Sequence, residues 1–263
     1  MADAVGTLAM VLILPEDIEI TSGSPKYHRA FLDIYLSQFS RRYLSDLIEY
    51  HRILKQRNAL LKKLKSGEIS NSSRQLDAWD DNLIKPIIRI VRQREKFVTE
   101  ISPYVKEISH KISASSDEIE LIYRPRLSLS ESDTEKAIID ALKGGRTRDI
   151  RMGATMLGPH RDMMELTIGG VPLESYGSMG QKKTVLMSLK LAALRALSEH
   201  RGEPAILILD EAFAAFDSTR SGLLLDLLSG LGQVFLASAI KPDNNFYTSA
   251  KIFEIESGAI KEK

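Results

Sequence analysis

Leu8 to Leu14 is an unbroken apolar run closed by Pro15, the pattern of a strand buried on both faces in a parallel or mixed sheet. From Tyr27 the apolar positions recur at three and four: Phe31, Leu32, Tyr35, Leu36 and Phe39, then Tyr43, Leu44, Leu47 and Ile48 after Ser40. The stripe continues through Ile53, Leu54, Leu60, Leu61 and Leu64, which predicts a long amphipathic helix. Ser66-Gly67 and Ser70-Asn71-Ser72-Ser73 then interrupt it. A second stripe follows with near-heptad spacing: Leu76, Trp79, Leu83, Ile87, Ile90, Phe97, Ile101, Tyr104 and Ile108. Two long helices joined by a short polar turn predict an antiparallel hairpin. Pro103 predicts a kink or a restart near Ser102.

Residues 113–134 mix short apolar pieces with Pro125 and a Ser/Glu/Asp cluster, which predicts an extended return to a sheet and then a loop. From Gly158 onward, extended and helical pieces alternate. Met164 to Ile168 reads as a strand, Gly169-Gly170 as a turn, and Val185, Leu189, Ala192, Ala193 and Leu197 as one helix face. Ala205 to Leu209, Leu223 to Leu228 and Gln233 to Ala237 follow as strand, helix and strand. This alternation is that of an α/β fold.

Composition narrows the chemistry more than the fold. Hydrophobic residues at 43% and charged residues at 27% exclude a largely disordered or collagen-like chain of 263 residues. A formal net charge of +1 means that any affinity for nucleic acid or a membrane surface must come from local patches. The absence of Cys removes disulfide frameworks, thiolate zinc sites and cysteine nucleophiles, and suits a reducing cytoplasm. No apolar run approaches the ~20 residues of a membrane-spanning helix.

Ile206-Leu207-Ile208-Leu209-Asp210-Glu211 delivers two adjacent carboxylates at the C-terminal edge of an apolar strand, where open α/β sheets bind ligands. In nucleotide hydrolases the first such acid holds the Mg²⁺ water shell and the second orients or deprotonates the attacking water. The same residues also read as a buried strand followed by an acidic turn. Ser178-Met179-Gly180-Gln181 opens the next helix upstream, where free N–H groups make a phosphate site. Taken alone it reads equally as a helix capped by Ser178. Arg41, Arg42, Arg52, Lys55, Arg57, Lys62, Lys63 and Lys65 on the first arm helix, with Lys85, Arg89, Arg92, Arg94 and Lys96 on the second, suit a DNA backbone or a solvated face. His160 reads as a nucleotide contact or a turn tie, and Trp79 as core.

The order Ser-x-Gly-Gln, helix, apolar strand, Asp-Glu and then Asp217 resembles the C-terminal part of an ATPase head of the ABC superfamily. Asp149-Ile150-Arg151, Thr155, Gly158-Pro159-His160-Arg161-Asp162, Pro15-Glu16-Asp17, Gly23-Ser24-Pro25, Phe31-Leu32-Asp33 and the arm segment Ile53 to Asn58 are similar to the RecF family, from about Leu8 to about Ala239. The resemblance implies an α/β ABC-type head with an incomplete sheet and an inserted antiparallel helical arm. It divides the chain into residues 1–38 (end of an N-terminal head segment), 39–112 (arm) and 113–263 (C-terminal head segment).

It further implies that Asp210 is the Walker B metal residue, through water to Mg²⁺, and Glu211 the catalytic carboxylate. Ser178, Gly180 and Gln181 would touch a nucleotide on another subunit, Asp217 would lie at the dimer seam, and Ser238 would hold the switch position. Arg52, Lys55, Arg57, Lys62 and Lys63 would face DNA. The implied function is a cytoplasmic DNA replication and repair protein that binds duplex or gapped DNA in an ATP-dependent homodimer, assists recombinase loading with RecR-type and RecO-type mediators, and serves the SOS response. The alternatives are a non-catalytic interaction fragment of such an ATPase and, less well matched because of the arm, a transporter nucleotide-binding domain.

Two motifs depart from the family: Met163 replaces an acid after His-Arg-Asp, and Ala214-Ala215-Phe216 replaces Ser-Glu-Leu ahead of Asp217. None of the sixteen glycines is followed by lysine, so the sequence holds no Gly-Lys-Ser/Thr phosphate loop. The family's phosphate loop and Q-loop precede the strand at Leu8, so the expectation is a chain lacking that segment and inactive as an ATPase alone.

Overall fold

The structure is a computed structural model describing residues 5–70, 73–113, 118–129, 134–211, 218–239, 250–256 and 258–262. Strand β1 (Met10–Ile13) leads through a 3-10 turn (Pro15–Ile20) into helix α1 (Pro25–Phe39). The apolar stripe runs on, but the helix does not: Ser40 is extended, and its hydroxyl accepts the Tyr43 N–H at 3.2 Å to cap α2 (Arg41–Lys65). A serine cap satisfies one of the donors a helix start leaves open, which ends one helix and begins another without disturbing the apolar spacing.

Helix α3 (Ser73–Ser113) is antiparallel to α2. Arg57 meets Asp80, Asp46 meets Arg89 and Tyr43 meets Arg94, so partner numbers rise along α3 as they fall along α2. Of the kink or restart expected near Ser102, the restart does not occur, for one helix of 41 residues contains both Pro86 and Pro103. Ser102 Oγ donates to Val98 O at 2.7 Å in the turn that the proline disturbs. At 1.5 Å per residue α3 is about 60 Å long. Its first half packs on α2 through Leu76, Leu83, Ile87 and Ile90, and its second half enters the head through Ile101, Val105, Ile108 and Ile112.

The chain returns as β2 (Ile119–Arg124), passes α4 (Thr134–Met152) and forms β3 (Met163–Ile168) and β4 (Val171–Pro172). β2 and β3 are antiparallel, with Ile119 opposite Ile168. Gly169 and Gly170, with φ of 56° and 78°, make the two-residue reversal into β4 that only left-handed backbone allows. After the short α5 (Leu173–Tyr176) come α6 (Met179–Arg201), β5 (Ile206–Asp210), α7 (Ser218–Ser229), β6 (Val234–Ala237) and the hairpin β7 (Phe253–Glu256) and β8 (Ala259–Glu262).

β1, β5 and β6 form a parallel sheet in that order, with Val11 beside Leu207 and Leu207 beside Val234. α6 lies between this sheet and α3 and is buried nearly all round, with Val185, Leu189, Ala192, Ala193, Ala196 and Leu197 at 0% exposure. The sheet face toward α6 carries Val11, Ile13, Leu207 and Leu209, all buried. The expectation that the Leu8–Leu14 run is covered on both faces is corrected: among the described residues β1 is an edge strand, and its other face leaves Leu8 54% and Leu12 39% exposed.

Candidate nucleotide and nucleic-acid sites

β5 buries alternate residues and ends at Asp210, half-buried at the C-terminal edge of the parallel sheet. Glu211 follows with φ 49°, a left-handed conformation that costs a non-glycine residue roughly 1 kcal/mol. Its backbone is fixed there by donation to Ala237 O at 3.0 Å, and its Oε1 accepts the Ala239 N–H at 2.5 Å. That reversal carries Glu211 across the end of β6, where the next residue after the strand is Ser238. The structure thus brings Asp210, Glu211 and Ser238 to one edge; Asp217 lies outside the described residues. Two neighbouring carboxylates fit Mg²⁺, which keeps several waters and takes phosphate oxygens as further ligands. Among the described residues no three His, Cys, Asp or Glu side chains gather as a metal site.

Ser178 caps α6 in a reciprocal box: its Oγ accepts the Gln181 N–H at 3.2 Å, and its own N–H goes to Gln181 Oε1 at 2.9 Å. Lys182 N–H goes back to Ser178 O, so the outward donors of the helix start are those of Met179 and Gly180. Met179 and Tyr176 are exposed on either side of Ser178. Lys190, in mid-α6, donates to Leu12 O at 2.9 Å and pairs with Asp17 at 2.8 Å, which fixes it level with the sheet. Ser178 stands twelve residues before Lys190, about 18 Å farther along the helix axis.

Gly158 to Asp162 join the arm to the head. Gly158 has φ 125°, and a Cβ there would come 2.6 Å from Tyr50 Oη. That close approach lets Tyr50 Oη reach His160 Nδ1 at 2.5 Å, while His160 Nε2 lies 2.9 Å from Thr155 O. A carbonyl only accepts, so Nε2 carries the proton and Nδ1 accepts from the phenol. Burial holds this imidazole's pKa down at about 4. Asp162 is fully buried, accepts from Tyr123 Oη and the Arg126 N–H, and lies 3.3 Å from Arg94 Nη1. Burial pushes its carboxyl above the usual range. Arg94, itself buried, donates further to Asp33 and Pro159 O, each at 2.7 Å, and to Tyr43 Oη at 3.0 Å. Of the five residues only Arg161 is classed as exposed.

Arg57, expected on the DNA-facing surface, is corrected by its burial: it is 0% exposed and inaccessible to a phosphate backbone. Its guanidinium donates to Asp80, Asp149 and Thr155 at 2.7 to 2.8 Å. Arg94 leaves the basic surface for the same reason. Arg52, Lys55, Lys62 and Lys63 are exposed on α2. At 100° per residue they span a stripe about 100° wide, which Arg41 extends. Lys63 pairs with Glu68 at 3.2 Å; among the described residues Arg52, Lys55 and Lys62 have no acidic partner within 4.0 Å. Sequence reasoning passed over Thr184 and Arg220, which flank the start of α6. A lone threonine in a helix gives no signal, whereas Arg220 follows Asp217 by three residues.

No protein-family model matches the sequence. It is 33% identical over 268 residues to the DNA replication and repair protein RecF of Rippkaea orientalis, covering 97% of this chain and 70% of that one. It is 33% identical over 269 residues to the RecF protein of Halalkalibacterium halodurans, covering 100% and 72%. Among solved structures, the recombination mediator protein RecF-ATPrS of the RecFOR pathway matches with a TM-score of 0.86 at 28% identity, over 99% of this chain and 69% of that one. The RecF-ATP structure matches at 0.85 and 27%. The fold is accordingly the α/β ABC-type ATPase head.

Proposed function

Because the chain belongs to the RecF family of DNA replication and repair proteins, we propose that it binds DNA through its arm and contributes two separated parts to nucleotide sites shared between copies. The observation that carries this reading is that the two parts stand on separate elements: Asp210 and Glu211 at the C-terminal edge of β5, and Ser178 at the capped start of α6. In this reading each part addresses the nucleotide held by a different copy.

In this reading Asp210 holds the water shell of Mg²⁺, and Glu211, oriented by the Ala239 amide, takes a proton from water. Gly180 offers an outward amide of α6 and Ser178 its hydroxyl to the partner's nucleotide, with Gln181 holding the cap that presents them. ATP, when bound, supplies the terminal phosphate that both parts address. The relatives solved with ATP or ATPrS support nucleotide binding, and their description as recombination mediators of the RecFOR pathway supports RecR-type and RecO-type partners. The sequence contains no Gly-Lys dipeptide to cradle the phosphates, so this chain by itself should hold ATP weakly and release phosphate only at background rates.

The test combines phosphate release with duplex binding by fluorescence anisotropy, in the presence of Mg²⁺ and ATP. Binding to duplex of any sequence at low salt, with background phosphate release, is the expected result. Turnover that disappears in Glu211→Gln would overturn the inactivity of the chain alone, and absence of DNA binding would overturn the repair reading of the arm.

A further inference from the structure

Three arginines converge where the arm meets the head: Arg29 on α1, Arg126 just past β2 and Arg161 in the Pro159–Arg161 turn. Arg29 Nη1 donates to Asp162 O at 3.1 Å and Arg126 Nε to Arg161 O at 3.4 Å, so all three side chains meet at one dipeptide. Arg29 is half-buried, and Arg126 and Arg161 are exposed. We propose that this cluster docks an acidic segment of a partner protein, whose Asp or Glu carboxylates span the guanidiniums of Arg29, Arg126 and Arg161.

Charge is the first ground. Among the described residues none of the three has a carboxylate oxygen within 4.0 Å, for the acids around them are engaged elsewhere: Asp33 and Asp162 by Arg94, and Glu165 by Arg124 at 2.6 Å. The outer guanidinium nitrogens of Arg126 and Arg161 meet thioethers instead, Met163 Sδ at 3.7 Å and Met156 Sδ at 3.5 Å, which are weak acceptors. Met163 is also one of the places where the sequence replaces an acid of its family, which leaves Arg126 open to an acid from outside. Burial and the charge of Arg94 hold the Arg29 pKa below the usual range against the pull of Asp33 and Asp162, and Arg161 adds to the repulsion. A guanidinium with spare donors takes a carboxylate bidentately.

Composition and position favour a protein over a duplex. The three charges are all arginine and two of them lie against methionine; Arg and Met are enriched at protein interfaces, where Lys is depleted. The stripe on α2 has three lysines among Arg52, Lys55, Lys62 and Lys63. The turn that carries Arg161 meets α2 at Tyr50, through His160. Counted at 100° per residue from Tyr50, the stripe lies about 120° to 220° round the helix. A duplex laid on the stripe is therefore on the far side of α2 from the arginines.

The inference rests on neither the nucleotide reading nor the duplex reading. The full chain is titrated at constant pH and ionic strength with a fluorescein-labelled peptide of alternating Glu and Gly, with its Gln and Gly counterpart, and with a labelled duplex, and anisotropy is recorded. The Glu peptide should bind and the Gln peptide should not. Arg126→Gln and Arg161→Gln, both at exposed positions, should each weaken the Glu peptide about three- to fivefold and leave duplex affinity unchanged. Met163→Glu, which supplies Arg126 with an acid and removes no arginine, should weaken the peptide by a similar factor. Replacing Arg52, Lys55, Lys62 and Lys63 with Glu should leave peptide affinity unchanged. No binding of the Glu peptide, equal binding of the Gln peptide, or peptide affinity lost in the stripe variant and kept in the arginine variants would each overturn the assignment. Arginine variants that lose duplex and peptide affinity alike would make the cluster part of a DNA surface and overturn it as well. A duplex that the parent chain does not bind counts against the DNA reading of α2 alone, because the peptide comparisons decide the cluster by themselves.

Discussion

Arg57, Arg94 and His160 show how much charge and polarity this chain places where its surface motifs were expected. Each guanidinium is buried, and each is compensated by carboxylates drawn from distant sequence, 23 and 92 residues away for Arg57. His160 is the histidine of the joint, beside the buried carboxyl of Asp162. Burial, reinforced by Arg161, Arg29 and His51, disfavours its imidazolium against the opposing pull of the Thr155 carbonyl. A folded pKa of about 4 against an unfolded value near 6.5 means that the unfolded chain binds the extra proton first. The histidine's contribution is therefore complete above pH 6.5 and is lost as the pH falls toward 4, on the order of 3 kcal/mol in all. Burial lowers the pKa of His28 in the same direction, so some slope survives without His160. Urea unfolding at pH 7.5, 6, 5 and 4 should show His160→Gln losing less stability than the parent over this range; parallel curves would remove His160 from the pH response.

At the scale of elements, α2 has two characters set by one rotation. Tyr43, Tyr50, Ile53, Leu54, Leu60 and Leu61 are buried, and the opposite side carries Arg52, Lys55, Lys62 and Lys63. If that side tracks a phosphate backbone, each contact removed flattens the plot of log affinity against log salt by about one unit. Replacing these four residues with Glu and titrating duplex DNA at several salt concentrations should flatten the slope accordingly, while an unchanged slope would make the stripe a solvated face. The arm was legible in sequence because spacing at three and four survives any neighbouring context. Arg57 was read from its charge as facing DNA, although it stands three and four residues from both Ile53–Leu54 and Leu60–Leu61 on the buried face, and its partner acids had no signal in the sequence. The break at Ser40 rests on one hydroxyl and leaves the apolar stripe intact. An apolar run such as Leu8 to Leu14 looks the same whether one face is covered or two, so the open face of β1 had no signature. At the candidate site, the strand-end acids and the Ser178 cap followed from local pattern, whereas the seat of α6 against the sheet depends on Lys190, which anchors it to Leu12 O.

The whole molecule is tied together by α3. One helix of 41 residues packs on α2 at one end and on α6 and β2 at the other, and the largest cluster of buried side chains is continuous from Tyr43 and Tyr50 in the arm to Leu207 and Leu209 in the sheet. An arm joined by a flexible linker would unfold by itself; an arm that shares its spine and its core with the head should not. Trp79 reports on this directly, because it is the sequence's one tryptophan and lies in the arm, packed against both apolar clusters near Asp80. Far-UV circular dichroism reports on all the helices. The two probes should give superimposable urea transitions. Arg57→Ala leaves Asp80 and Asp149 buried without the guanidinium that joins them, which costs about 3–5 kcal/mol for a broken buried pair. Arg146 retains its bonds to Asp80 at 2.6 and 3.0 Å and places the loss toward the lower end of that range. Both transitions should move to lower urea by the same amount. A Trp79 transition that shifts while the dichroism transition splits into two steps would show that the arm is an independent folding unit.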